Sequence, residues 1–109
     1  MARILIVDDE KNIRTHLATF LESCGYQVRT AESAQQALIQ LASDEPFDLV
    51  LTDYRMAGVN GVELLEQARR QTPDVAFILM TAYATIENAV EAMKAGAFDY
   101  LPKPFSLQQ

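Results

Sequence analysis

At 109 residues, the chain is long enough for one hydrophobic core and too short for two independent ones. It is 50% hydrophobic and 22% charged, a soluble globular balance; no stretch approaches the roughly 18 consecutive apolar residues of a membrane span, and no membrane partner is expected. The formal net charge of −6 argues against direct nucleic-acid binding by this chain.

The first strand is expected at Ile4-Leu5-Ile6-Val7, and it stops at Asp8-Asp9-Glu10. Those acids interrupt the apolar run too early for a secretory signal, so a cytoplasmic location is expected. Ile13, Leu17, Phe20, Leu21 and Cys24 then recur at helical spacing, and Gly25 can end that helix in a left-handed conformation. Cys24 is the lone cysteine. It excludes an internal disulfide, suits a reducing compartment and reads as a small buried hydrophobe. Tyr26 to Ala31 reads as a less apolar strand, as an edge would be, and Ser33 can cap a helix carrying Ala37, Leu38 and Leu41.

Pro46 breaks the chain before Leu49-Val50-Leu51-Thr52-Asp53. A short apolar run ending in a carboxylate suits a strand buried on both faces, with Asp53 at its carboxyl end. After Asn60-Gly61, Val62, Leu65 and Ala68 mark a helix that Thr72-Pro73-Asp74 terminates. Val75 to Met80 forms the next strand and runs into Thr81. Thr85 can cap a fourth helix with Ile86, Ala89, Val90 and Met93 on one face, closed by Gly96. Phe98 to Leu101 is the last strand, stopped by Pro102-Lys103-Pro104. Five strands alternate with four helices over the chain, which predicts right-handed crossovers and a parallel sheet covered on both faces.

A parallel sheet brings the carboxyl ends of its strands together on one rim. Asp8-Asp9, Asp53, Thr81 and Lys103 all stand there. Taken singly, each has an ordinary structural explanation. Two acids favour a helix N-terminus, an aspartate begins many turns, and a threonine or a lysine closes many strands. Their meeting on one rim is what points to chemistry. Crowded carboxylates need a cation, and an all-oxygen set with few protein ligands suits Mg²⁺. One carboxylate can act as nucleophile toward phosphorus, while a hydroxyl and an ammonium hold the other phosphoryl oxygens. No neutral general base is present to hasten hydrolysis, so a covalent state would persist.

The motifs Ile4-Leu-Ile-Val-Asp8-Asp9-Glu10, Leu49-Val-Leu-Thr-Asp53-Tyr-Arg-Met, Met80-Thr81-Ala82 and Tyr100-Leu-Pro-Lys103-Pro104-Phe105 resemble those of receiver domains of bacterial two-component response regulators. The resemblance covers essentially the whole chain, so residues 1–109 read as one phosphoacceptor domain. It implies an α/β flavodoxin-like doubly wound sheet of five parallel strands in the order 2-1-3-4-5. It also implies that the usual final helix is missing or truncated here. By the same resemblance Asp53 is the phosphoacceptor, and Asp8, Asp9, Asp53 and the Arg55 backbone carbonyl hold Mg²⁺. Thr81 is the switch hydroxyl, Lys103 contacts phosphate, and Tyr100 is the switch aromatic. The Lys103–Pro104 peptide bond is expected cis.

The ending Gly96-Ala-Phe-Asp-Tyr-Leu-Pro-Lys-Pro-Phe105 is similar to receivers of the NtrC type. That implies an N-terminal fragment of a larger transcription activator, with ATPase and DNA-binding output domains elsewhere in the parent protein. A sensor histidine kinase is the implied phosphodonor, and a homodimer is compatible. Two other readings stay open. One is a phosphorylation-independent interaction module of the same fold; the other is a phosphatase with Asp53 as nucleophile. The phosphatase would need an acid/base carboxylate two residues on, where Arg55 stands. His16 lies on the first helix with nothing near it in sequence to make it a phosphohistidine or metal ligand, and Arg69-Arg70 read as part of a solvated face.

Overall fold

The computed structural model describes residues 2–43, 46–54, 60–72, 74–81, 90–91 and 93–102, with the backbone alone at 81 and 100–102. Its elements in chain order are β1 (Arg3–Val7), α1 (Lys11–Ser23), β2 (Gln27–Ala31), α2 (Ala34–Leu41), β3 (Leu49–Asp53), α3 (Gly61–Gln71), β4 (Ala76–Thr81) and β5 (Asp99–Pro102). The five strands form one sheet in the order β2-β1-β3-β4-β5, and every pairing is parallel. The expected architecture is therefore present. Of the fourth helix only residues 90–91 and 93–94 are described, and they are helical. The Thr85 cap and the chain from Lys103 onward lie outside the described residues.

Strand alternation sorts the side chains between the two faces. Leu5 and Val7 of β1, Val50 of β3 and Phe77 and Leu79 of β4 join the buried cluster that α2 and α3 cover with Ala37, Leu41, Leu64, Leu65 and Ala68. Ile4, Ile6 and Met80 face the other way and pack with Leu17 of α1, flanked by partly buried Leu49 and Leu51. Strand β2 sits at the sheet edge and is exposed at Gln27, Arg29 and Thr30, as its weak apolar character predicts.

The local signals work as their chemistry requires. The Ser33 side chain accepts from the Gln36 amide at 3.2 Å and so caps α2. Gly25 and Gly96 take φ of 97° and 104° where two helical stretches end, a region that only glycine enters without strain. Asn60, which reads in sequence only as loop punctuation, caps α3 by accepting from the Glu63 amide at 2.9 Å.

Two expectations are corrected. Cys24 is exposed rather than buried. It is the C-cap of α1, one position past the last helical turn, so the helical period no longer carries it to the sheet. Arg69 is not a freely solvated residue: its Nη2 donates to the Gly96 carbonyl at 2.5 Å. That bond ties α3 to the turn leading into β5.

Candidate functional site

Strand register builds the rim. Val7 of β1 pairs with Thr52 of β3, so the next residue of each strand, Asp8 and Asp53, comes level at the carboxyl end. Adjacent strands run about 4.8 Å apart. Asp53 in turn pairs with Met80 of β4, and Thr81 pairs with Pro102 of β5. Lys103 follows Pro102 in sequence and lies outside the described residues, as does Arg55. The backbones of Thr81 and Tyr100 are thus placed on neighbouring strands; the register of Tyr100 is opposite Leu79.

Two of the acids are inside the protein: Asp8 is 0% and Asp53 7% exposed. Asp8 is held on three sides. Its amide donates to the Ala31 carbonyl at 3.2 Å, its Oδ1 accepts from the Glu10 amide at 2.9 Å, and its carbonyl accepts from Arg14 Nη1 at 2.7 Å. Asp9 and Glu10 are exposed beside it. The carboxylate oxygens of Asp8, Asp9 and Glu10 can lie within 4.8 Å of one another. The N-terminus of α1 starts immediately after Glu10, and its partial positive charge favours such a group. The donor set is acidic and all oxygen, which fits a hard divalent cation and not a soft one.

Asp53 is positioned from behind. The Thr52 hydroxyl donates to its carbonyl at 3.1 Å, and the next amide, of Tyr54, donates to the Met80 carbonyl at 2.7 Å. Helix α3 comes in very close. A Cβ at Gly61 would lie 2.6 Å from the Asp53 carbonyl oxygen and 2.7 Å from Leu79 Cδ2. Glycine at 61 is therefore a condition for the helix to reach the strand end, where the Gly61 amide donates to the Tyr54 carbonyl at 2.8 Å.

Glu10, Arg14 and Gly61 support the site without standing out in the sequence as site residues. A signal exists for Arg14, which stands four positions after Glu10 and so one helical turn above it. None exists for the demand on Gly61, because the crowding comes from a strand that neighbours it only in space.

Residues 4–109 match the family described as response regulator receiver domain. Regulatory protein AtoC of Escherichia coli (strain K12) is 45% identical over 107 residues, covering 98% of this chain and 23% of AtoC. The DNA-binding transcriptional regulator NtrC of Salmonella typhimurium is 41% identical over 106 residues, covering 97% of this chain and 22% of NtrC. The chain thus spans less than a quarter of the length of these curated relatives. Among solved structures, a response regulator from Burkholderia pseudomallei, described with a phosphorylated aspartic acid, a calcium ion and citrate, superposes with a TM-score of 0.90. Its sequence is 34% identical, and the match covers 99% of this chain and 63% of that one. On its sequence, its strand order and its matched length, the chain belongs to the response regulator receiver domain family, and its relatives include regulators of the NtrC type.

Proposed function

We propose that this chain is the phosphorylation-controlled switch of a two-component regulator, accepting a phosphoryl group on Asp53. The observation that carries this reading is the register that brings buried Asp8 level with buried Asp53 on one rim. A carboxylate oxygen of Asp53 attacks phosphorus. The bond from phosphorus to the donor's nitrogen or oxygen breaks, and the donor leaves with the electron pair. Asp8, Asp9, Asp53 and the Arg55 backbone carbonyl would hold Mg²⁺, which when bound neutralises charge on the phosphoryl oxygens. Arg14 and the Glu10 amide keep Asp8 oriented through this step. Thr81 and Lys103 would take the remaining phosphoryl oxygens, and Tyr100 would follow Thr81 as the switch settles.

The donor is a sensor histidine kinase or a small acyl phosphate. The greater length of the relatives and the DNA-binding role of NtrC support an N-terminal domain that regulates ATPase and DNA-binding domains of a longer activator. The surface formed by the fourth helix and the fifth strand would carry the message, with a homodimer as one form of output. The chain's own reaction is its phosphorylation and dephosphorylation, not turnover of a separate substrate. None of the helices among the described residues is long and apolar enough to cross a membrane.

The test is intact-mass measurement after treatment with a small acyl phosphate in the presence of Mg²⁺. Wild type gains one acid-labile phosphoryl group and loses that gain when Mg²⁺ is chelated; Asp53→Asn gains none. Undiminished labelling of Asp53→Asn would overturn the assignment of the acceptor, and labelling indifferent to chelation would overturn the metal site.

A further inference from the structure

Tyr54 follows Asp53 directly, and alternation along the strand carries the two to opposite faces of the sheet. Asp53 comes level with Met80, which packs on the α1 side. Tyr54 belongs to the buried cluster beneath α2 and α3 and is 8% exposed. Its backbone is fixed at both ends. The amide donates to Met80 at 2.7 Å, and the carbonyl accepts from Gly61 at 2.8 Å. The ring therefore hangs from a fixed stretch of backbone that also carries Asp53.

At its far end the Tyr54 hydroxyl donates to Glu91 Oε1 at 3.1 Å, across 37 residues of sequence. Glu91 belongs to the helical residues 90–91 and 93–94, and its own carbonyl accepts from the Ala95 amide at 3.0 Å. The Gly96 amide closes on Met93 at 3.1 Å. The chain then turns at Gly96, buries Ala97 in the same cluster as Tyr54, and enters β5. One side chain thus links the residue beside Asp53 to the segment that feeds the last strand.

The geometry points to Tyr54 as a positioning residue that couples the state of Asp53 to the segment around Glu91, through its hydroxyl. This rests on the reading of Asp53 as phosphoacceptor. A phosphoryl group adds charge and three acceptor oxygens at Asp53, and the adjoining backbone is shared with Tyr54. A hydrogen bond weakens steeply as its angle falls, so a small displacement at 53–54 changes how firmly Glu91 is held. Glu91 is exposed, so its side chain is free to exchange the phenol for water when the bond loosens. The hydrogen bond joins the buried ring to an exposed carboxylate, so it can break and reform while the ring stays in the core.

The test separates this coupling from simple core filling. Tyr54→Phe keeps the ring and removes only the donor. Amide hydrogen exchange at Ala95 and Gly96 is measured on the full chain, with and without a small acyl phosphate, for wild type, Tyr54→Phe, Glu91→Ala and the double variant. In the untreated chain, Tyr54→Phe is expected to speed exchange at these amides about three- to tenfold, the usual net worth of one hydrogen bond. The double variant should match the single variants instead of multiplying their effects. In wild type, phosphorylation changes the exchange; in Tyr54→Phe that change falls to less than half, while intact mass still shows the phosphoryl group. Unaltered exchange in Tyr54→Phe, effects that multiply in the double variant, or a full phosphorylation response in Tyr54→Phe would each overturn the proposal. If wild type takes up no phosphoryl group, the acceptor assignment fails and the coupling with it, whereas the untreated cycle still reports on the bond itself.

Discussion

The two faces of the sheet are filled to different depths. Among the described residues, one continuous cluster of seventeen buried side chains runs beneath α2 and α3, from Leu5 and Phe77 to Leu64 and Ala97. On the α1 side the described residues bury only four, Ile4, Ile6, Leu17 and Met80, with Leu49 and Leu51 partly covered. Two helices cover the first face, and its central strand residues Leu5, Val7, Val50, Phe77 and Leu79 are fully buried. The second face carries Asp53 at its rim, level with Asp8. Among the described residues, the buried apolar side chains are thus concentrated on the face away from the acids. Tyr54 bridges the two, since its backbone continues the acidic strand and its ring lies in the deeper cluster.

Substitutions test this contrast. The largest effect is expected for Phe77→Ala, which empties the largest fully buried side chain among the described residues and should cost about 3–5 kcal/mol in urea unfolding. Leu51→Ala on the other face removes a partly covered side chain and should cost about 2 kcal/mol, the low end for leucine. Equal losses at the two positions would show that the faces contribute alike. Next is Gly61→Ala, which forces a methyl group against the Asp53 carbonyl. About 1–3 kcal/mol of strain is expected, together with slower phosphoryl uptake by Asp53; a melting temperature and uptake rate equal to wild type would contradict the close approach. The smallest effect is expected at Cys24→Ser. The residue is exposed beyond the end of α1, so stability should stay within about 0.5 kcal/mol of wild type, and a loss above about 1 kcal/mol would restore it to the core.

Much of this molecule can be read from local chemistry. The apolar runs at Ile4–Val7 and Leu49–Leu51 give strands, the spacing of Val62, Leu65 and Ala68 gives α3, and Ser33, Gly25 and Gly96 mark ends that the backbone confirms. These signals are legible because propensity, periodicity and capping act within one or two turns of chain. The acids at the strand ends are legible for the same reason: each closes its own apolar run.

Tertiary pairing decided the rest. Which residue stands beside Asp53 depends on register, and a slip of one residue would turn every side chain of β3 to the other face; burial on both sides of the sheet fixes that register. Cys24 shows the limit of periodicity, since the period says nothing of where a helix stops. Arg69 on Gly96, Gly61 against Asp53 and Tyr54 on Glu91 join residues that no sequence spacing relates. Local sequence dictates which elements form and which side chains close them. Only the folded sheet decided which of those side chains meet, because contacts across the chain exist once strands have paired and not before.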